Sequence, residues 1–207
     1  MIVVIDYGIG NLGSVVKAFK YLGVPVKLTA SPDEIREADG IVLPGVGAFG
    51  HGVENLEKYN LKRVIRELIE EGKPFLGICL GMQLLFSGSE EAPGVRGLGI
   101  IKGIVQKFDP SNVGKIPHIG WNKVNIIKED PLFYNLNTSP YLYFVHSFFA
   151  RTSEGDNIIG ETCYGKQRFV SVVRSNNAWE IQGHPEKSSR TGLKILQNFS
   201  EVVNRWK

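Results

Sequence analysis

The sequence predicts an α/β fold: a mostly parallel central sheet flanked by helices, with a β-rich second half, over residues 1–207 as one domain. Three observations point there. Short apolar runs alternate with stretches of helical spacing in the first half, the connections between them are short, and beyond Gly97 strand-like segments follow one another. Such alternation calls for parallel strands with helices on both faces, because each crossover passes over a face of the sheet. A chain of 207 residues is long enough for one large core and short for two domains.

The elements follow in order. Met1 to Asp6 is an apolar run ending at a glycine turn and reads as a buried strand. Asn11 to Leu22 carries Leu12, Val15, Val16, Phe19 and Leu22 at helical spacing, and Val24 to Thr29 is a second strand. Ser31-Pro32-Asp33-Glu34 starts a helix, with Ser as N-cap, Pro at the first position and Glu closing a capping box. Gly40 to Leu43 is a third strand running into Pro44-Gly45-Val46-Gly47. Leu61 to Glu71 is helical, Pro74 to Ile78 a fourth strand, and Leu80 to Phe86 a helix entered directly from it. Later strands are expected at Gly99 to Phe108, Gly120 to Ile127, Tyr141 to Phe149, Ile158 to Tyr164, Phe169 to Arg174 and Trp179 to Gln182. A helix from Thr191 to Trp206 follows.

Composition excludes several function classes. Apolar residues make up 43% and charged residues 22%, as in ordinary globular proteins. The net charge is +3 with Lys and Arg scattered, so neither nucleic acid nor a membrane surface is an expected partner. The start Met1-Ile2-Val3-Val4-Ile5 lacks a basic segment and meets Asp6, which predicts no signal peptide. The longest uncharged apolar stretch, Phe75 to Phe86, is 12 residues and contains Gln83, too short to span a bilayer. Two cysteines, Cys79 and Cys163, make no disulfide framework, so a reduced, cytoplasmic protein is expected. No metal or cofactor is expected.

The chemistry concentrates at Gly77-Ile78-Cys79-Leu80-Gly81, a G-x-C-x-G between a strand and a helix. This is the nucleophile-elbow pattern with Cys in place of Ser. A sharp strand-to-helix turn crowds the backbone, so glycines flank the nucleophile. The helix N-terminus favours the thiolate, and the Leu80 N–H is placed to stabilise an oxyanion. A Cys nucleophile needs a base and a group that orients it. In His184-Pro185-Glu186, residues i and i+2 of an extended backbone point the same way, so Glu186 is able to hold one ring nitrogen of His184 and leave the other for the thiol. Chain order alone leaves open whether Cys79 and His184 meet. Pro44-Gly45-Val46-Gly47 leaves a strand at the same end of the sheet and offers a second oxyanion donor, or a plain turn. His51, His118 and His146 read as ordinary core or surface histidines. Gly8-Ile9-Gly10-Asn11-Leu12-Gly13 fits the dinucleotide pattern G-x-G-x-x-G, but the following strand ends Leu28-Thr29-Ala30-Ser31 with no acid for a ribose.

Gly77-Ile78-Cys79-Leu80-Gly81-Met82-Gln83 together with His184-Pro185-Glu186 resembles the class I (triad) glutamine amidotransferases, whose fold is flavodoxin-like. Five further segments narrow the resemblance to the glutaminase-subunit family of imidazole glycerol phosphate synthase. They are Asp6 to Leu12, Pro44 to Phe49, Ile116 to Asn122, Tyr143 to Ser147, and His184 to Ser188. The resemblance implies that Cys79 attacks the side-chain amide of glutamine, His184 shuttles protons, Glu186 orients it, and Gln83 holds the substrate. It also implies an oxyanion held by Leu80 and by backbone near Val46 and Gly47 after a loop rearrangement. The implied partner is a (β/α)8-barrel cyclase subunit that receives the ammonia and makes imidazole glycerol phosphate and an aminoimidazole carboxamide ribotide. Asn11, Trp121, Tyr143 and Lys187 would line the partner face, with Trp121 near the ammonia exit and Lys187 in an ion pair to the barrel.

Two positions depart from the family pattern. Gly183 precedes His184 where an aromatic is usual, and Glu180 stands where a glycine is usual. The loss of packing at Gly183 implies a looser triad or another side chain filling the gap, and Gly183→Phe is expected to be tolerated. Competing readings are an amidotransferase subunit of another ammonia-channelling synthase, a dinucleotide-binding domain resting on Gly8 to Gly13, and a stand-alone cysteine hydrolase of similar fold.

Overall fold

A computed structural model describes residues 1–206. Its first half alternates as the spacing predicts: β1 (Ile2–Ile5), α1 (Leu12–Tyr21), β2 (Val26–Thr29), α2 (Pro32–Glu37), β3 (Gly40–Gly45), α3 (Phe49–Lys58), α4 (Leu61–Glu70), β4 (Phe75–Cys79) and α5 (Leu80–Leu84). The second half adds β5 (Phe86–Ser89), β6 (Ile101–Lys107), α6 (Pro110–Val113), β7 (His118–Lys123), β8 (Asn125–Ile126), β9 (Tyr141–His146), β10 (Phe148–Thr152), β11 (Ile158–Tyr164), β12 (Gln167–Ser175), β13 (Ala178–Ile181) and α7 (Ser189–Trp206). No helix among the described residues is long and apolar enough to cross a membrane.

Eleven strands form one sheet whose main path runs β2-β1-β3-β4-β13-β12-β10-β6-β5, with β11 against β12 and β8 against β11. The five strands from β2 to β13 are parallel. Four of them, β1, β3, β4 and β13, are buried on both faces, which is why β1, β3 and β4 read as continuous apolar runs, whereas the edge strand β2 is partly exposed. Val3, Ile5, Ile41, Leu43 and Phe75 face a layer built with Phe49, Val53 and Leu56 of α3 and Leu61, Ile65 and Leu68 of α4. Ile2, Val4, Val42, Leu76 and Trp179 face the opposite layer, with Val15 and Phe19 of α1 and Ile195, Leu196 and Phe199 of α7. Burying each such side chain contributes roughly 1.5–3 kcal/mol, so these two layers hold the sheet rigidly beneath whatever its carboxyl edge carries.

The structure adds one helix to the sequence reading and corrects four of its details. Phe49–Lys58 is helical although it contains Gly50 and Gly52, which lower helix propensity. Gly52 sits close against α5, where a Cβ would lie 3.0 Å from the Leu84 side chain. The helix at Leu80 is shorter than expected and Phe86 opens a strand. The segment Gly120 to Ile127 splits at Val124 into β7, which pairs β9, and β8, which pairs β11, and the segment Tyr141 to Phe149 is also two strands. It breaks at Ser147, and β9 pairs with β7 in a separate ribbon while β10 joins the main sheet. Ser31 does stand at the N-cap of α2 with Pro32 behind it, but its side chain makes no capping bond, and Glu34 pairs with Lys27 at 3.0 Å instead of closing a box.

Candidate active site

All parallel strands end on the same edge, and the site is built there. In β4 and β13, Ile78 is registered with Ile181, so Cys79 and Gln182 leave neighbouring strands side by side, with His184 two residues on. On the other flank Gly45 of β3 is registered with Cys79, which brings the Val46-Gly47 loop over it. Direct strand pairing therefore joins segments about a hundred residues apart.

Cys79 has φ +55° and ψ −106°, a conformation that L residues adopt only where their surroundings force it. The force comes from close packing of the turn. A Cβ at Gly81 would lie 1.8 Å from the Leu43 carbonyl, and one at Gly77 would lie 1.8 Å from Glu180 Oε2. Both flanking glycines are thus required for space. The helix starts at Leu80 with no residue between, so the Leu80 N–H belongs to the first turn, where no intrahelical acceptor exists.

His184 and Glu186 are both almost wholly buried, and His184 Nδ1 is 2.8 Å from Glu186 Oε1. That bond leaves Nε2 directed to the Cys79 thiol. Burial opposes a charge on His184, yet the neighbouring Cys79 and Glu186 outweigh it and push its pKa up to about 10. With Nδ1 held by Glu186 and its pKa raised, His184 is able to offer a proton from Nε2 on the Cys79 side.

Cys79 opens onto a cleft of about 410 Å3 lined by Val46, Gly47, Leu80, Gln83, His146 and Phe148, among others. Val46, Gly47, Cys79, Leu80 and Gln83, named from sequence, thus share one cavity, with His184 and Glu186 behind Cys79. Gly47 has φ +116°, open to glycine and strained for other residues. The Gly8–Gly10 turn packs on the same edge, with the Cβ position of Gly10 3.5 Å from Gly45 Cα. The four residues expected at a partner face lie nearby. Trp121 and Tyr143 are registered on β7 and β9 with rings 6.3 Å apart. The Tyr143 ring is 6.5 Å from that of His184, and the Tyr143 carbonyl accepts from the His184 N–H at 2.8 Å. Lys187 is exposed in the short 3-10 turn after His184, and Asn11 is exposed ahead of α1.

Sequence reasoning missed three participants. Gln182 Nε2 is 3.7 Å from Cys79 Sγ, and Gln182 Oε1 accepts from Gln83 Nε2 at 3.0 Å. Its signal was a polar residue two positions before His184, directly after a buried strand. His146, taken as ordinary, lines the cleft and pairs with His118 at 3.0 Å. Tyr7, buried under the cleft, has its hydroxyl pKa raised by burial and by the charge of Cys79.

Gly183 has its gap filled by Leu142. A Cβ at 183 would come within 3.1 Å of Leu142 Cβ and 3.2 Å of its Cδ1. The tolerance expected for Gly183→Phe therefore requires Leu142 to move. The single variant is expected to lose about 1–3 kcal/mol from overpacking, and Gly183→Phe combined with Leu142→Ala to recover part of it, as measured by urea denaturation.

The comparisons with known proteins agree with this geometry. The family described as Glutamine amidotransferase class-I matches residues 3–202. A curated relative from Methanocaldococcus jannaschii, imidazole glycerol phosphate synthase subunit HisH, is 49% identical, with 98% of this chain and 100% of the relative covered. The subunit of that name from Sulfurimonas denitrificans is 47% identical, with 99% of each covered. Among solved structures, PurLQS from Thermotoga maritima aligns with a TM-score of 0.77 at 19% identity over 98% of both chains, and a glutamine amidotransferase structure with 0.74 at 17% identity over 98% of both. At those identities the solved structures speak for the fold alone. The strand-end cleft, the strained cysteine and the full-length matches converge: the chain belongs to the class-I glutamine amidotransferases and, within them, to the HisH subunit family of imidazole glycerol phosphate synthase.

Proposed function

We propose that Cys79, His184 and Glu186 are the triad with which this chain, a glutaminase of histidine biosynthesis, hydrolyses glutamine to glutamate and ammonia. One observation carries the assignment: a strained cysteine at a strand-to-helix turn, with a buried His–Glu pair behind it, opens onto a cleft. The Cys79 thiolate attacks the side-chain amide carbon. His184 gives its proton to the departing nitrogen, the C–N bond breaks, and ammonia leaves a thioester on Cys79. Water, deprotonated by His184, then attacks the thioester, and glutamate departs as the thiolate is restored. Glu186 holds the ring through Nδ1 so that Nε2 serves both steps. Leu80 N–H and a backbone N–H from Val46 or Gly47 would hold the oxyanion, the second after the loop turns inward. Gln83 binds the substrate.

The ammonia is delivered to a cyclase partner, a (β/α)8 barrel that closes imidazole glycerol phosphate and releases the aminoimidazole carboxamide ribotide. Residues 1–207 act as one domain for this purpose, in the cytoplasm, where Cys79 stays reduced. The docking face is the exposed side of the β7–β9 ribbon, where Trp121, Ile119 and Tyr141 are each more than half exposed, together with Tyr143, Lys187 and Asn11. Such an aromatic patch is typical of an interface core. The test is glutamate release by the chain alone and with the cyclase and its ligand. An oxyanion donor out of place costs about 10²–10³ in rate, so an increase of that order on adding the liganded barrel is expected. Full activity of the chain by itself would overturn the partner-dependent reading.

A further inference from the structure

The inner face of the β7–β9 ribbon carries a polar chain that the triad does not use. His118 is registered with His146, and both are buried in an aromatic cluster with Phe108, Phe144 and Phe169. Four hydrogen bonds run in series. Asn122 Nδ2 is 3.2 Å from His118 Nε2, His118 Nδ1 is 3.0 Å from His146 Nε2, His146 Nδ1 is 2.7 Å from the Phe148 carbonyl, and Gln83 Nε2 is 3.1 Å from that same carbonyl.

The polarity of this chain is fixed independently from both ends. The Phe148 carbonyl only accepts, so His146 Nδ1 carries the hydrogen. A neutral His146 then accepts at Nε2, His118 donates from Nδ1, and His118 accepts at Nε2. From the far end, Asn122 Oδ1 accepts from the Lys123 N–H at 2.7 Å and Nδ2 donates to the Cys163 carbonyl at 2.9 Å. That orients Nδ2, the donor, toward His118. The two ends demand the same tautomers, and each joint is satisfied only with both rings uncharged. Burial lowers the pKa of His118 to about 4 and of His146 to about 3, in keeping with neutral rings.

The chain ends on the carbonyl next to Ser147, where the strand leaves the ribbon for the main sheet. That carbonyl and Gln182 Oε1 take both hydrogens of the Gln83 amide, at 3.1 and 3.0 Å. Gln83 Oε1 is left to accept from a ligand in the cleft. We propose that His146 is a positioning residue for glutamine: held in one tautomer by His118, it pins the Phe148 carbonyl, which turns the Gln83 amide so that its oxygen faces the substrate. His146 touches no reacting atom in this role. The inference rests on the glutaminase reading above.

Three variants test it, each assayed for glutamine hydrolysis with the cyclase and its ligand. His146→Phe keeps a ring and removes both nitrogens. His146→Asn keeps a donor at the position of Nδ1. His118→Phe removes only the group that orients His146. Loss of substrate positioning raises KM with little change in kcat, whereas a merely loosened fold lowers the active fraction and leaves KM alone. We expect KM for glutamine to rise about tenfold in His146→Phe, less in His118→Phe, and to return most of the way in His146→Asn. Unchanged KM in both Phe variants, or a KM in His146→Asn as high as in His146→Phe, overturns the proposal. Should His146→Phe fail to fold, His118→Phe and His146→Asn against the wild type decide it. Absence of glutaminase activity in the wild type would instead count against the functional reading itself.

Discussion

Replacing Cys79 with serine is expected to lower glutamine hydrolysis by about 10⁴-fold or more, as removal of a triad nucleophile does elsewhere. The thiol is the only nucleophile at the strand-to-helix turn, and the other cysteine, Cys163, is exposed on β11 and makes no part of the cleft. A serine hydroxyl in the same position lacks a stable anion to pair with the His184 imidazolium. The variant should therefore move the histidine as well as the rate. Cys79 is one of the two groups that raise the His184 pKa. With a raised pKa, the stabilisation from the His184 proton is complete below the ordinary histidine value of about 6.5 and is lost as pH rises through about 10. In Cys79→Ser that loss should be complete at lower pH, because the folded-state pKa falls toward the ordinary value. Titrating the His184 ring by NMR in both proteins, with circular dichroism to establish that the variant folds, measures the shift. A variant retaining more than a few per cent of the activity, or an unmoved His184 titration, would falsify the pairing of thiol and imidazole.

The second large effect is expected at Glu180, with no role in catalysis required. Its side chain is fully buried, both carboxyl oxygens lack a partner, and burial alone drives its pKa well above the ordinary range. It occupies the space over Gly77, whose missing side chain makes room for the carboxyl group. In the unfolded chain Glu180 ionises near pH 4.3, while in the fold it stays protonated to a higher pH. The folded state then binds the extra proton, so stability falls as pH rises through the window between the two values, by about 1.4 kcal/mol per unit. Glu180→Met keeps the volume and removes the titration. The variant is expected to be more stable than wild type at neutral pH, with a gap that widens from about pH 4.3 upward. Denaturant unfolding at several pH values reads this directly, and parallel pH profiles for the two proteins would sink it.

Part of this protein was legible from sequence because the signals are local. Apolar runs and helical spacing lie within windows of a few residues, so the strand–helix order of the first half and the parallel sheet could be read directly. The elbow at Gly77 to Gly81 and the His184–Glu186 pair are equally local: a tight turn needs its glycines beside the nucleophile, and a two-residue offset brings the acid to the ring. What stayed hidden depends on which strands become neighbours. Only the pairing of β13 with β4 brings His184 behind Cys79, a choice set by burial of both sheet faces rather than by any residue near either one. Phe49–Lys58 folds as a helix despite Gly50 and Gly52, with Phe49, Val53 and Leu56 buried in the core, a long-range burial that its local propensity does not show. The run Tyr141 to Phe149 looks like one strand because alternation is the same in either sheet; the break at Ser147, which turns His146 from an ordinary core histidine into a wall of the cleft, exists only once β9 finds β7 and β10 finds β6. The sequence by itself determined most of the elements and marked the candidate reactive groups, since these rest on local geometry, and the tertiary structure decided which groups meet, since that rests on long-range burial that no short window contains.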